Sequence, residues 1–264
     1  MAGAASSAIT SLIPRRGQRR ALRVWDTVLV LLPLIAVWQV LSWWTGSVAL
    51  ASPVATAARL AGLVATSAFW GHVAETFAAA STALLISGVA GLALGIALGA
   101  HRFSGEVAEP LLIGLYTLPK LTLYPLVLTL FGLGMPAKVA FGTMHGLVPI
   151  ALFAMNAIRA MPPVLLRTAR ALRLSPAATV RTVMLPAVLP ELATGLRVGT
   201  SLTLLGVLIG EMFASQRGLG FLIANAVGLN DTATILAVTL LVAVIAVATN
   251  TALLAVEHRL RHSA

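Results

Sequence analysis

Thr76 to Ala100 and Thr232 to Val256 are each 25 residues long and contain no charged side chain. A helix rises about 1.5 Å per residue, so each run spans the roughly 30 Å of a bilayer's hydrocarbon core. Four further stretches read the same way: Thr27–Thr45, Leu111–Leu133, Val139–Ile158 and Leu192–Phe213. The third of the six spans carries Lys120 near its start, and the fifth carries Arg197 and Glu211. Within lipid each backbone N–H and C=O needs a partner in its own segment, which makes such spans helices. The expectation is an all-α polytopic membrane protein with six transmembrane helices. Composition agrees: 59% of the 264 residues are hydrophobic and 10% charged, with a mean hydropathy of +0.96. A soluble domain carries roughly 25% charged residues. Soluble enzymes, disordered chains and secreted scaffolds are excluded, and without cysteine there is no disulfide or thiolate metal site.

The basic residues orient the spans. The segment before span one holds Arg15, Arg16, Arg19, Arg20 and Arg23, and the loop after span two holds Arg102. Arg159, Arg167, Arg170, Arg173 and Arg181 lie between spans four and five, and Arg259 and Arg261 follow span six. These 13 residues stand against three on the other side, Arg59, Lys138 and Arg217. Cytoplasmic loops concentrate Lys and Arg, so both termini are expected inside. Arginines placed between apolar runs orient a membrane chain and do not form a nucleic-acid surface. Ala49-Leu50-Ala51 offers a signal-cleavage pattern, but 19 residues exceed the ~7–15 of a signal peptide's apolar core. The expected organisation is a basic tail (1–26), one transmembrane domain (27–256) and a short C-terminal tail (257–264).

Two outward segments carry structural signals. Ser52-Pro53 is an N-cap with proline at the first helical position, predicting a surface helix over Val54–Trp70. Gly218-Leu219-Gly220 opens a segment, 214–231, expected to dip back under cover of neighbouring protein. Gly91, Gly95 and Gly99 form a row on one face of span two, a pattern that lets another helix approach closely.

The segment 159–190 has five arginines and no acid. Pro162-Pro163 stops span four, and Val164–Leu174 reads as a short helix with Leu165, Leu166, Ala169 and Leu172 as its apolar set. Ser175-Pro176 starts a second helix, whose exit Pro186 and Pro190 punctuate. An orientation loop requires none of this, so the segment reads as a docking element.

Catalytic motifs are missing. No H-E-x-x-H occurs, and Gly199-Thr200-Ser201-Leu202 lacks the glycine of a nucleophile turn. Lys120 follows Pro119 and Lys138 follows Ala137, so neither belongs to a phosphate-binding loop. Any ATP-derived power must come from another subunit. Among the ionisable groups in the spans, Glu211, Lys120 and His145 are candidates for a translocation path. Snorkelling to the interface for the first two, and a helix–helix contact for His145, are the alternatives.

The 159–190 segment resembles the hallmark loop of inner-membrane permease subunits of binding-protein-dependent ABC importers. That loop reads E-A-A, three residues, G, nine residues, I-x-L-P. Here it reads Arg167-Thr168-Ala169, then Arg173, then Val183-Met184-Leu185-Pro186. Ala169, Leu185 and Pro186 agree, Val183 is conservative, and Arg167, Thr168 and Arg173 depart. Ala169-Arg170-Ala171-Leu172, Gly195-Leu196-Arg197, Glu211-Met212, Gly218-Leu219-Gly220, Leu118-Pro119-Lys120 and Tyr124-Pro125-Leu126 are similar to the nitrate/sulfonate/taurine branch. The resemblance implies a methionine-permease-like fold working as a permease homodimer, and no enzyme activity or cofactor in this chain. It implies two peripheral ATPases holding ATP and magnesium, a solute-binding protein outside, and a coupling helix in the arginine-rich loop. A secondary transporter and a structural membrane protein are the competing readings.

Overall fold

The computed structural model describes residues 16–263, with side chains from Leu29 to Leu260 except Arg102 and Ala214. The basic tail therefore lies outside the described side chains, and Arg15 outside the described residues. Among the described residues the elements are all helical: α1 (Arg16–Thr45), α2 (Pro53–Val64), α3 (Ser67–Ala100), α4 (Arg102–Thr117), α5 (Tyr124–Phe131) and α6 (Met135–Arg159). They continue as α7 (Pro163–Ala171), α8 (Pro176–Thr179), α9 (Leu185–Ala214), α10 (Leu219–Gly228) and α11 (Thr232–Ser263).

Four described helical stretches are long and apolar enough to cross a membrane: α3, α6, α11 and the run from α8 through α9. In α1 the described apolar part is the 17-residue stretch Leu29–Thr45. The third expected span is not one helix. It breaks into α4 and the turn leading into α5, bent by 85°. Leu118 precedes a proline and adopts extended backbone, φ −57° and ψ 135°, because the ring of Pro119 disfavours a helical neighbour. Pro125 then sits in the first turn of α5, where its missing N–H costs nothing.

Other boundaries move for local reasons. Ser52 caps α2 as expected, its Oγ accepting from the Ala55 N–H at 3.2 Å. That helix ends at Val64, however, where Trp70 donates to the Val64 carbonyl from the next helix. Pro186 and Pro190 do not end a helix; both lie in the opening turns of α9. A π-helical turn, Val180–Met184, joins α8 to α9, so the fifth span starts well before Leu192.

Helix α6 is central: 61% of its most apolar stretch is buried, against 17% in α11. It lies between α3 and α9, and α11 packs on α9 and α10. The glycine row of α3 faces α6. A methyl group at Gly95 would sit 2.6 Å from the Ala154 Cβ and collide with the Ala151 carbonyl; one at Gly99 would lie 2.8 Å from the Ile158 Cβ. On its other side, α6 brings Gly146 against Thr203 of α9. Without a hydrophobic drive between helices in lipid, close backbone approach supplies the cohesion. The dipping segment is covered as expected: Leu219 is buried with Phe69 and Val238. Large apolar side chains remain exposed on the outside, among them Leu31, Leu85 and Val244, as a lipid-facing surface requires.

Candidate functional site

Three places carry chemistry. The first lies where the end of α9, the start of α6 and the mouth of α10 meet, at the end the basic-residue count assigns to the outside. Lys138, fully buried, donates to Glu75 Oε1 at 2.9 Å, to Ser215 Oγ at 3.3 Å and to the Arg217 carbonyl at 3.4 Å. Its Nζ also stands 3.6 Å from Glu211 Oε1. Glu211, also fully buried, accepts from the Thr76 hydroxyl at 2.9 Å and from the Gly220 N–H at 3.0 Å. Thr76 in turn accepts the Leu219 N–H at 2.8 Å, and His72 Nδ1 accepts the Gly218 N–H at 3.1 Å. The free N–H groups at the mouth of α10 are thus met by side chains of α3 and α9. Gly218 has φ +120°, and a Cβ there would collide with the Glu211 carboxylate, so this position requires glycine.

Glu211 therefore does not snorkel to the interface, because burial leaves it inside this network. Lys138, counted in the sequence only as an orientation charge, proves to be its counter-ion. The available signal was a lysine in the first turn of an apolar helix, a place that calls for a named partner.

The other two candidates have separate surroundings. His145 is buried in the middle of α6; its Nδ1 meets the Phe141 carbonyl at 2.8 Å, and the ring packs 4.7 Å from that of Phe141. Phe141 meets Tyr124 edge-on at 5.1 Å, and the Tyr124 hydroxyl donates to the Gly210 carbonyl. Lys120 sits at the bend between α4 and α5, donating to the Tyr116 carbonyl at 2.9 Å with Nζ 5.3 Å from the centre of that ring.

The arginine-rich loop is the second chemical place. Helix α7 ends at Ala171, three residues before the expected Leu174. Ala169 is buried, Leu165 and Leu166 are half-buried, and Leu172 is 67% exposed, so the predicted apolar set divides between two faces. Arg167, Thr168, Arg170 and Arg173 are all exposed. The helix stops in a Schellman arrangement: the Leu174 N–H reaches the Ala169 carbonyl and the Arg173 N–H the Arg170 carbonyl. Arg173 holds the left-handed position at φ +52°. This explains why the hallmark pattern has glycine there. Ser175 caps α8 through the Ala178 N–H. Val183 is half-buried in the π turn, Leu185 is exposed and Pro186 half-buried at the start of α9.

Third, Arg197 of α9 donates to Glu257 Oε2 at 2.9 Å and to Asn250 Oδ1 at 3.2 Å, and Thr194 donates to Glu257 Oε1. This clamp binds α11 to α9. At the opposite end Arg59 meets Asp231 at 3.1 Å, and two bonds from Thr234 hold that carboxyl below its ordinary range.

Residues 88–262, more than half of the chain, match the family described as binding-protein-dependent transport system inner membrane component. The chain belongs to that family. The permease is 28% identical over 191 residues to the taurine transport system permease protein TauC of Escherichia coli, covering 72% of this chain and 70% of that one. It is 30% identical over 183 residues to the riboflavin transport system permease protein RibX of Chloroflexus aurantiacus, covering 69% and 68%. It is 25% identical over 158 residues to the nitrate import permease protein NrtB of Leptolyngbya laminosa, covering 60% and 56%. A chain of the MetNI methionine ABC transporter in an inward-facing conformation superposes with a TM-score of 0.63 at 20% identity, covering 72% of this chain and 94% of that one. The methionine-permease-like fold is thus established. So are membership of the nitrate/sulfonate/taurine branch and the part of a non-catalytic, multi-pass inner-membrane subunit of an ABC importer for small solutes.

Proposed function

We propose that this permease forms the translocation path for a small solute such as a sulfonate, nitrate or taurine, and that the 159–190 loop docks a separate ATPase in the cytoplasm. The observation that carries the reading is α7: a short helix with Ala169 buried and Arg167 and Arg170 exposed, followed by exposed Arg173 just past its end. Two copies of the transmembrane domain, residues 27–256, pair around the path, with both termini inside. A solute-binding protein delivers the solute from outside and sets its identity. ATP and magnesium stay on the partner, and this chain holds no cofactor. Lys120, His145 and Glu211 belong to the path or its closure.

Unpaired guanidinium groups pressed against a protein partner carry a desolvation cost, so the ATPase surface that receives α7 presents carboxylates. Complementary charge sets partner choice. Replacing Arg170 and Arg173 together by Glu lowers co-purification of the ATPase at least tenfold while membrane insertion is unchanged. Undiminished co-purification would leave the arginines as orientation charges only.

A further inference from the structure

The network around Lys138 has one more carboxylate than it has ammonium groups. All three N–H donors of Lys138 are used, by Glu75, Ser215 and the Arg217 carbonyl. Glu211 is satisfied separately, by Thr76 and the Gly220 N–H, with Lys138 at 3.6 Å as counter-ion. Glu75 differs from both. Its side chain is 29% exposed and lines an open recess of about 470 Å³ together with Ser215, Gln216 and Arg217. His72 receives the Gly218 N–H on Nδ1, and an imidazole nitrogen that accepts is unprotonated. The charges facing the network are therefore Lys138, Glu75, Glu211 and, across the recess, Arg217.

The segment 215–220 is held by its buried Leu219 and by these polar contacts. Its amides at Gly218, Leu219 and Gly220 bond only side chains, from α3 and α9. Lys138 reaches the same segment at Ser215 and Arg217. Departure of the segment would take from buried Lys138 two of its three acceptors and from buried Glu211 the Gly220 N–H, while the three charged groups stay on α6, α3 and α9. Buried charges left less satisfied are destabilising. Glu75 offers that ammonium a second partner, nearer and open to water.

We infer that Lys138 is a positioning residue that latches the 215–220 segment over the end of the bundle, and that Glu75 weakens the latch by competing with Glu211 for the one ammonium. The surplus carboxylate makes the closure reversible. Reading this closure as the outer gate of transport rests on the proposed function; the latch itself does not.

The test is hydrogen exchange by mass spectrometry on the purified permease, reading residues 213–222 with 140–155 of α6 as internal reference. Glu75→Gln keeps an oxygen acceptor for Lys138 and removes the competing charge. Exchange over 213–222 is expected to slow about threefold, with α6 unchanged. Lys138→Met leaves Glu211 without its counter-ion, and exchange there speeds up at least tenfold. Should Lys138→Met fail to fold, Lys138→Gln keeps a polar donor, removes the charge and speeds exchange two- to fivefold. If Glu75→Gln speeds exchange or leaves it unaltered, Glu75 is an ordinary structural partner and the inference falls. In the assembled importer Glu75→Gln slows uptake severalfold while ATPase co-purification stays at the wild-type level. A loss of co-purification would instead implicate the docking loop.

Discussion

Gly95→Ala should destabilise the permease although alanine is the better helix former. In an open helix position the exchange favours the folded state by about 1 kcal/mol. At Gly95 the new methyl lies 2.6 Å from the Ala154 Cβ and against the Ala151 carbonyl, and ordinary contact begins at 3.4 Å. The obstacle is backbone and a Cβ, neither of which can swing aside, so α3 and α6 must part by about 0.8 Å. A gap of that size forfeits a quarter to a half of each dispersion contact it opens. The seam also includes Gly91 against Ile150 and Gly99 against Ile158. Overpacking costs about 1–3 kcal/mol, and a clash with backbone and a Cβ belongs in the upper part of that range, about 2–3 kcal/mol, leaving a net loss of about 1–2 kcal/mol after the helix gain. Gly114→Ala in α4 is the control, because a methyl there meets nothing within 4 Å. Thermal unfolding in detergent reads the difference: one kcal/mol moves the midpoint of a chain this size about 2–4 °C. Gly95→Ala should lower Tm by about 2–8 °C and Gly114→Ala raise it slightly. A Gly95→Ala protein as stable as wild type would refute the close approach of these helices.

Arg173→Gly should steady the end of α7, since a left-handed non-glycine residue costs about 1–2 kcal/mol. Amide exchange across 163–174 should slow at least fivefold, whereas Arg173→Ala, which keeps a Cβ, should leave it unchanged. Orientation is checked by single cysteines in this cysteine-free chain: in intact cells Gln216→Cys should react with an impermeant thiol reagent and Ser175→Cys should not. Both positions are exposed, so labelling reports the side of the membrane, and reaction at Ser175→Cys would reverse the topology.

The parts of this architecture that were legible in the sequence depend on neighbours along the chain. Charge-free runs marked the spans, and Ser52-Pro53 and Ser175-Pro176 marked helix starts whose hydroxyls do cap. The four-residue spacing of Gly91, Gly95 and Gly99 marked a close approach. The same spacing occurs in Gly142/Gly146 of α6 and Gly195/Gly199 of α9, where Gly146 and Gly199 face one another, Gly142 meets Val207 and Gly195 meets Phe153. Leu118-Pro119 held the cause of the break in the third span, yet a hydropathy run averages over one extended residue. What distance along the chain concealed was pairing. Lys138, Glu75 and Glu211 come from three helices, and their meeting follows from which helix ends share one side of the bundle. Arg173 shows a different limit. Its charge suggested a partner, while its conformation, set by the way the helix ends, gives the reason for the glycine in the family pattern.

The central claim is that this permease moves its solute only under the power of a partner ATPase. Membrane vesicles carrying the permease with its genomic-neighbour ATPase and binding protein should accumulate radiolabelled solute when ATP is supplied to the ATPase side. Vesicles with the permease alone should accumulate none under an imposed proton or sodium gradient. Sustained uptake by the permease alone, driven by such a gradient, would contradict the account.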